Sequence, residues 1–198
     1  MSQAPDEKPL ITATPTGLGR LLADAASPKA RRAPPLELWN PPFCGDMDLR
    51  IDAQGEWFHE GTRMTRQSLV DLFATVLWRE DDRYFLKTPV EKIGITVEDV
   101  PLLVIQLDQV TDDDGVVWLE AKTKTGDTLR LDAEHGVFMR AFAGEVRPYI
   151  QVRRNLEALV HRNAFYHLLA MGEWLDTASG TAVRVCSGDQ TFVLDAVG

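Results

Sequence analysis

In the stretch Cys44-Gly45-Asp46-Met47-Asp48-Leu49-Arg50, two carboxylates and a guanidinium recur at every second position beside a thiol. If the stretch is extended, side chains two apart point the same way, so Asp46, Asp48 and Arg50 share one face of a strand. Such a trio could bind a small molecule, with Arg50 gripping an anionic group through paired N–H donors and the aspartates accepting from hydroxyls or amines. It could equally be an internal ion-pair network that ties a hairpin to its neighbour. A hard cation wants more oxygen ligands than Asp46 and Asp48 supply, and Asp112-Asp113-Asp114 has the composition of a hairpin tip, so no metal site is expected. Cys44 as a nucleophile would need a base brought to it from His59, His135, His161 or His167, and a buried structural thiol is the expectation.

Two further groups could join that trio. In Thr88-Pro89-Val90-Glu91-Lys92 the proline stiffens a connection between strands, from whose edge Glu91 and Lys92 can project. Arg153 and Asn155 are expected at the start of a long helix, where unpaired backbone N–H groups favour anions. Trp39, Trp57 and Tyr149 are expected in packing. The chain contains no Walker A glycine loop, Rossmann glycine pattern, Gly-x-Ser-x-Gly elbow or His-Glu-x-x-His, so the commonest nucleotide, esterase and zinc mechanisms lose their usual handles, and no cofactor is expected.

These residues need elements to hold them. Leu49, Ile51 and Ala53 alternate up to the turn Gln54-Gly55-Glu56 and the pair Trp57-Phe58, a hairpin pattern. Leu69, Leu72, Phe73, Val76 and Leu77 follow at helical spacing, with Thr65 as the expected N-cap and Ser68 at N3. The pattern then turns to strands: Tyr84 to Lys87, the alternation Ile93, Ile95, Val97, and again Leu103, Ile105, Leu107. Asp113-Asp114-Gly115 and Thr125-Gly126-Asp127 flank Val116 to Lys122, and Leu129, Leu131, Val137 and Met139 continue the run. Many short strands with no helix between them suggest a curled antiparallel sheet or partial barrel. A second helix is expected from Asn155 to Met171, stopped by Gly172, and two last strands, Ala182 to Cys186 and Thr191 to Leu194, flank Ser187-Gly188-Asp189. Ahead of all this, Met1 to Thr14 reads as a disordered lead-in, Leu18, Leu21, Leu22 and Ala25 as a short amphipathic helix, and Lys29 to Pro35 as a basic, Pro-rich linker.

The two long helices resemble each other. Arg66 to Phe73 aligns without a gap on Arg162 to Leu169, and Trp78 then falls on Trp174. Each helix precedes a strand bearing an aromatic residue, Phe85 in one case and Phe192 in the other. A diverged internal duplication accounts for this, although any two amphipathic helices share periodicity.

With 198 residues the chain can bury a substantial core without metals or disulfides. A formal net charge of −9 repels phosphate backbones and anionic lipid, so neither nucleic acid nor membrane is an expected partner; a small-molecule ligand is, and a protein partner stays open. No apolar run approaches the roughly 20 residues that span a bilayer, and the opening MSQAPDEKPL is polar and Pro-rich, so a cytoplasmic location is expected. Cys44 and Cys186 lie far apart in no CxxC arrangement and are expected to stay reduced.

From Trp39-Asn40-Pro41-Pro42-Phe43-Cys44-Gly45-Asp46 through Asp48 and Arg50, the chain resembles a proteobacterial family catalogued as domain of unknown function 1285. Val76 to Arg79 with Tyr84 to Lys92, Val97-Glu98-Asp99-Val100-Pro101, and Tyr149 to Arg153 agree as well. The resemblance runs from about Pro35 to the end. It implies an α+β fold of two domains built on similar β-hairpin, helix and strand cores, a cleft between them, and a role in small-ligand sensing or signalling; it carries over no catalytic residue. The expected division is a tail, short helix and linker over 1–35, an α+β domain over 36–88, and a larger β-rich domain with one long helix over 89–198. The expected function is a non-catalytic module that binds an anionic or zwitterionic ligand through Asp46, Asp48, Arg50, Glu91, Lys92, Arg153 and Asn155. The alternatives are a hydrolase-like enzyme using the Asp/Arg cluster as acid and base, and an interaction scaffold.

Overall fold

A computed structural model of the chain describes residues 34–177 and 180–195. The lead-in, the short helix at Leu18 to Ala25 and nearly all of the basic linker lie outside the described residues. The described chain divides into two compact units: one runs to Asp52 and resumes over Glu56–Glu98, and the other takes Ala53–Gly55 and everything from Asp99 onward. The break therefore follows Glu98 and not residue 88. The strand Lys92–Val97 is the reason, since it is hydrogen-bonded on both sides to strands of the first unit.

In the first unit a 3-10 turn, Leu36–Leu38, buries Leu36 and leads into β1 (Phe43–Ile51). There follow β2 (Trp57–His59), β3 (Thr62–Arg63), α1 (Gln67–Thr75), β4 (Leu77–Glu80), β5 (Arg83–Lys87) and β6 (Lys92–Val97). They form one six-stranded sheet in the order β3-β2-β1-β6-β5-β4. It consists of two antiparallel meanders, β1-β2-β3 and β4-β5-β6, joined where β1 and β6 run parallel. One face is apolar: Leu49, Ile51, Trp57, Leu77, Leu86 and Ile93 are almost fully buried, as are Val70, Leu72 and Phe73 of α1. The Phe73 and Trp57 rings meet at 6.2 Å. The helix starts one residue later than expected. Arg66, not Thr65, is its N-cap and makes no side-chain capping bond.

The second unit comprises β7 (Leu102–Thr111), β8 (Val117–Thr123), β9 (Thr128–Arg130), β10 (Val137–Phe142), β11 (Glu145–Arg153), β12 (Leu156–Val160), α2 (Arg162–Ala170), β13 (Glu173–Thr177), β14 (Gly180–Ser187) and β15 (Gln190–Asp195). Its large sheet has the order β10-β11-β12-β7-β8-β9, again two meanders meeting at a parallel pair, β7 with β12. This is the topology of the first sheet repeated: in each, the first and last of six strands lie side by side at the centre. The sheet is open, not a closed barrel, and mixed where an antiparallel run was expected, because β7 and β12 pair in parallel; the expected α+β fold of two domains with similar cores is what the chain has. Beside it, β13-β14-β15 forms a small antiparallel sheet.

Two local readings are also corrected. The stretch from Leu156 to Val160 is a strand, with Leu156, Ala158 and Val160 buried at every second position, so the second helix begins at Arg162 and not at Asn155. Ile105 is not a core residue. The register of β7 on β8 slips between Val104 and Gln106, leaving Ile105 as an extra residue turned outward, 45% exposed, while Val104 and Leu107 remain buried.

The helix alignment has a structural counterpart. Each of α1 and α2 is nine residues long and leads into a strand with tryptophan at its second position, Trp78 in β4 and Trp174 in β13. Each of those strands opens a three-stranded antiparallel meander.

Candidate functional site

The face of the first sheet opposite the apolar one carries the charged residues of the Cys-Gly-Asp segment. Gly45 has φ 104, a left-handed conformation that glycine adopts without steric cost, and the register of β1 on β6 shifts on both sides of Asp46. The bulge sets Asp46 opposite Gly94 of β6. There its carboxylate lies over the strand, with Oδ1 only 1.9 Å from where a Cβ on residue 94 would stand. Glycine at 94 thus lets Asp46 reach across β6 and accept from Arg83 Nη2 of β5 at 2.8 Å.

Arg83 also sits over two rings, Phe43 at 5.2 Å and Phe85 at 5.1 Å. Lys92, opposite Phe43 in register, places Nζ 5.0 Å from the centre of Phe85 and donates to Glu80 Oε2 at 2.6 Å. The other Glu80 oxygen accepts from Trp78 Nε1 at 3.0 Å. The hydrogen bond from Lys92 is the main influence holding the Glu80 carboxyl below its ordinary value; desolvation opposes it, and Trp78 and the Lys92 charge reinforce it. Lys87, buried, has Nζ 4.0 Å from the Trp78 ring. Farther along the face, Arg50 pairs with Glu98 and lies 4.3 Å from the centre of the Phe58 ring, its partner residue on β2.

Four cations, Arg50, Arg83, Lys87 and Lys92, thus rest on aromatic rings along one sheet face. Three of them, Arg50, Arg83 and Lys92, also hold a carboxylate. A ring face attracts a cation through its quadrupole, and the attraction grows with desolvation. The face therefore offers alternating positive and negative groups at fixed spacing. A guanidinium has five N–H donors in a planar fork, so the bond to one carboxylate oxygen uses part of its capacity.

Of the residues singled out from the sequence, Asp46, Arg50 and Lys92 belong to this face. Asp48 is exposed, and its carbonyl accepts from Glu60 N. Glu91 does not project from a loop edge: it is 6% exposed and closes a turn in which its N–H donates to Thr88 Oγ1 at 3.1 Å, while its carbonyl accepts from Thr88 N at 2.9 Å. Arg153 and Asn155 are in the second unit. Arg153 ends β11 paired with Asp127, and Asn155 is exposed in the turn to β12, so neither stands at a helix N-terminus. Cys44 Sγ donates to the Pro42 carbonyl at 3.5 Å.

Arg83, Lys87, Trp78, Glu80 and Phe85 were not anticipated. A signal for part of them exists in β5, where Arg83, Phe85 and Lys87 alternate with Tyr84 and Leu86, placing a cation, ring, cation row on the polar face.

The second unit has its own buried polar cluster. Asp99, with a side chain only 3% exposed, accepts from Tyr149 OH at 2.7 Å and from Arg140 Nη2 at 3.3 Å, with Arg147 Nη1 at 3.7 Å. Arg140 also binds Glu157 and covers the Tyr149 ring at 4.1 Å. Burial, followed by the Asp99 carboxylate, pushes the Tyr149 hydroxyl up to about 12. Every member is answered by another, and Asp99 and Tyr149 have little access to solvent, so this cluster is structural. Among the described residues no group of three or more His, Cys, Asp or Glu could hold a metal ion, and no helix is long and apolar enough to cross a membrane.

Comparison with known proteins adds the following. Residues 34–100 match the family model "Domain of unknown function (DUF1285), N-terminal domain", and residues 101–194 match "Protein of unknown function (DUF1285), C-terminal domain". A DUF1285 family protein from Silicibacter pomeroyi DSS-3, solved by crystallography, is 38% identical with a TM-score of 0.75 over 88% of this chain and 93% of that one. A second, from Shewanella baltica OS155, is 30% identical with a TM-score of 0.48, covering 63% of this chain and 91% of that one. No curated protein matches. The two family models meet between residues 100 and 101, within two residues of the break between the compact units, and together they span nearly all of the described chain. The chain belongs to the DUF1285 family and carries both of its domains in order.

Proposed function

We propose that the protein is a non-catalytic regulatory module that binds a small anionic or zwitterionic molecule on the charged face of its N-terminal sheet. The observation that carries this reading is the set Arg50, Arg83 and Lys92, each held between a ring and a carboxylate on one strand-built surface. Strands fix the spacing of these groups more tightly than loops would, and rigidly placed charges orient a ligand at low entropic cost. Their partial exposure keeps them within reach of solvent, the Arg83 side chain being 52% exposed and Arg50 38%.

A catalytic reading has less support. General acid–base work by Asp46 needs a second carboxylate facing it across a substrate, and Asp46 instead faces Arg83. The thiol of Cys44 is turned to a backbone carbonyl and not to a base.

A thermal-shift screen against a metabolite library tests the proposal, because a ligand that binds only the native state raises the melting temperature by mass action. For a ligand so found, Arg50→Ala should weaken binding by at least about 1.5 kcal/mol, the lower range for a hydrogen bond to a charged group, while the variant stays folded. Unchanged affinity in calorimetry would remove Arg50 and this face from the site.

A further inference from the structure

In the second unit, the small sheet β13-β14-β15 is fastened to β8 through the turn after β14. The buried Ser187 hydroxyl accepts from Leu119 N at 2.9 Å and donates to the Leu131 carbonyl at 2.6 Å, and Gly188 N donates to the Val117 carbonyl at 2.8 Å. Gly188 approaches Trp118 so closely that a Cβ there would stand 2.5 Å from the ring. Just before β13, at the same end of the small sheet, a Cβ on Gly172 would meet the side chains of Val183 and Val185 at 2.3 and 2.7 Å. The junction is therefore tightly packed and preformed. Alongside it runs an open groove of about 440 Å³.

Five features of its lining decide what it can hold. Glu173 and Arg184 face each other directly across β13 and β14, with Arg184 Nη2 2.6 Å from Glu173 Oε2, and their side chains are 66% and 43% exposed. Met171, where α2 ends, and Val117 of β8 supply apolar wall, and the Thr191 hydroxyl supplies a polar group. A pair this exposed contributes little to stability, because water and salt screen it. It does place one positive and one negative group side by side at the edge of a partly apolar groove. A purely anionic ligand drawn to Arg184 would be repelled by Glu173, and a purely cationic one the reverse. A molecule carrying an ammonium and a carboxylate on one carbon satisfies both. The volume lies within the roughly 300–1,000 Å³ of small-ligand sites.

We propose that this groove binds a small zwitterion of the α-amino-acid class, with its carboxylate on Arg184, its ammonium on Glu173 and its side chain against Met171 and Val117. The site is built from residues of the second unit alone and extends the proposed function to a second set of binding residues.

The test is calorimetric titration of the full-length protein with the standard L-α-amino acids at millimolar concentration, followed by the N-acetyl and carboxamide derivatives of any that bind. At least one amino acid should bind, and each derivative, having lost one charge, should bind at least about tenfold more weakly. Arg184→Gln and Glu173→Gln should each weaken binding by a similar factor, while Arg63→Gln, at an exposed arginine of β3 that belongs to neither site, leaves it unchanged. The derivatives probe the unmodified protein, so this arm does not depend on any variant folding. Absence of binding by every amino acid, derivatives that bind as well as the parent, or binding lost in Arg50→Ala and retained in Arg184→Gln would each overturn the proposal. The last result would instead support the site on the first unit.

Discussion

Glu80 shows how a single side chain reports on the charged face. Its carboxyl is held below the ordinary 4.5, first by the hydrogen bond from Lys92. A carboxylate whose folded value is lowered contributes stability that is present above its unfolded value and is lost as the pH falls through the folded one. Replacing Lys92 with methionine keeps a long side chain over Phe85 but removes the charge and the donor. In Lys92→Met the Glu80 carboxyl should titrate at higher pH, and the unfolding free energy should fall less steeply with acidification below about pH 5 than in the wild type. Carboxyl-carbon NMR titration reads the first effect and urea unfolding across that range reads the second; identical Glu80 titration in the two proteins would mean that the 2.6 Å bond does not form in solution. The residues that make this contact differ in how far the sequence announces them. Asp46, Asp48 and Arg50 stand out because period-two spacing is local. Arg83 and Glu80 do not, because what gives them meaning is their position across the strand from Asp46 and Lys92, and register is set by pairing between distant segments. The Gly94 requirement is equally hidden, since it arises from a carboxylate 48 residues earlier in the chain, at position 46.

At the scale of elements, legibility follows burial pattern. The first helix is readable because Leu72, Phe73 and Val76 recur at helical spacing and all three are buried. Residues 155–160 mislead, because Leu156, Ala158 and Val160 run directly into a true helix, and a five-residue alternation is too short to announce a change of period. The ring of Phe73 meets that of Trp57, and the two residues are 5% and 2% exposed, so this contact joins α1 to the apolar face of its sheet. Phe73→Ala should therefore destabilise the protein by about 3–5 kcal/mol through lost transfer energy and a cavity the sheet is too stiff to fill. Equilibrium urea denaturation measures it. A loss below about 1 kcal/mol would show that the helix does not depend on this packing.

At the scale of the whole molecule, the repeat matters more than either unit's details. The alignment of the two helices and the resemblance led to two related domains, and both sheets have the same six-strand topology. What stayed illegible is that the last strand of each six returns to lie parallel to the first. A parallel pair joins segments about 50 residues apart, and nothing in either segment names its partner. Each sheet is consequently two local meanders held together along one central seam, β1 with β6 and β7 with β12. The seam strands are hydrogen-bonded on both sides and carry enclosed residues: Leu49, Ile51 and Ile93 in one unit, and Leu102, Val104, Ala158 and Val160 in the other, are at most 2% exposed. The outer strands β3 and β9 are two and three residues long, and their side chains are mostly exposed. Amide protons exchange through local opening, which is easiest where few buried contacts and few neighbouring strands must be lost. Hydrogen exchange should therefore give two separate maxima of protection, one on β1 and β6 and one on β7 and β12, with protection falling outward through each meander to β3, β4, β9 and β10. Uniform protection across either sheet, or a single maximum confined to one unit, would show that the parallel seams are not the stable centres of the fold.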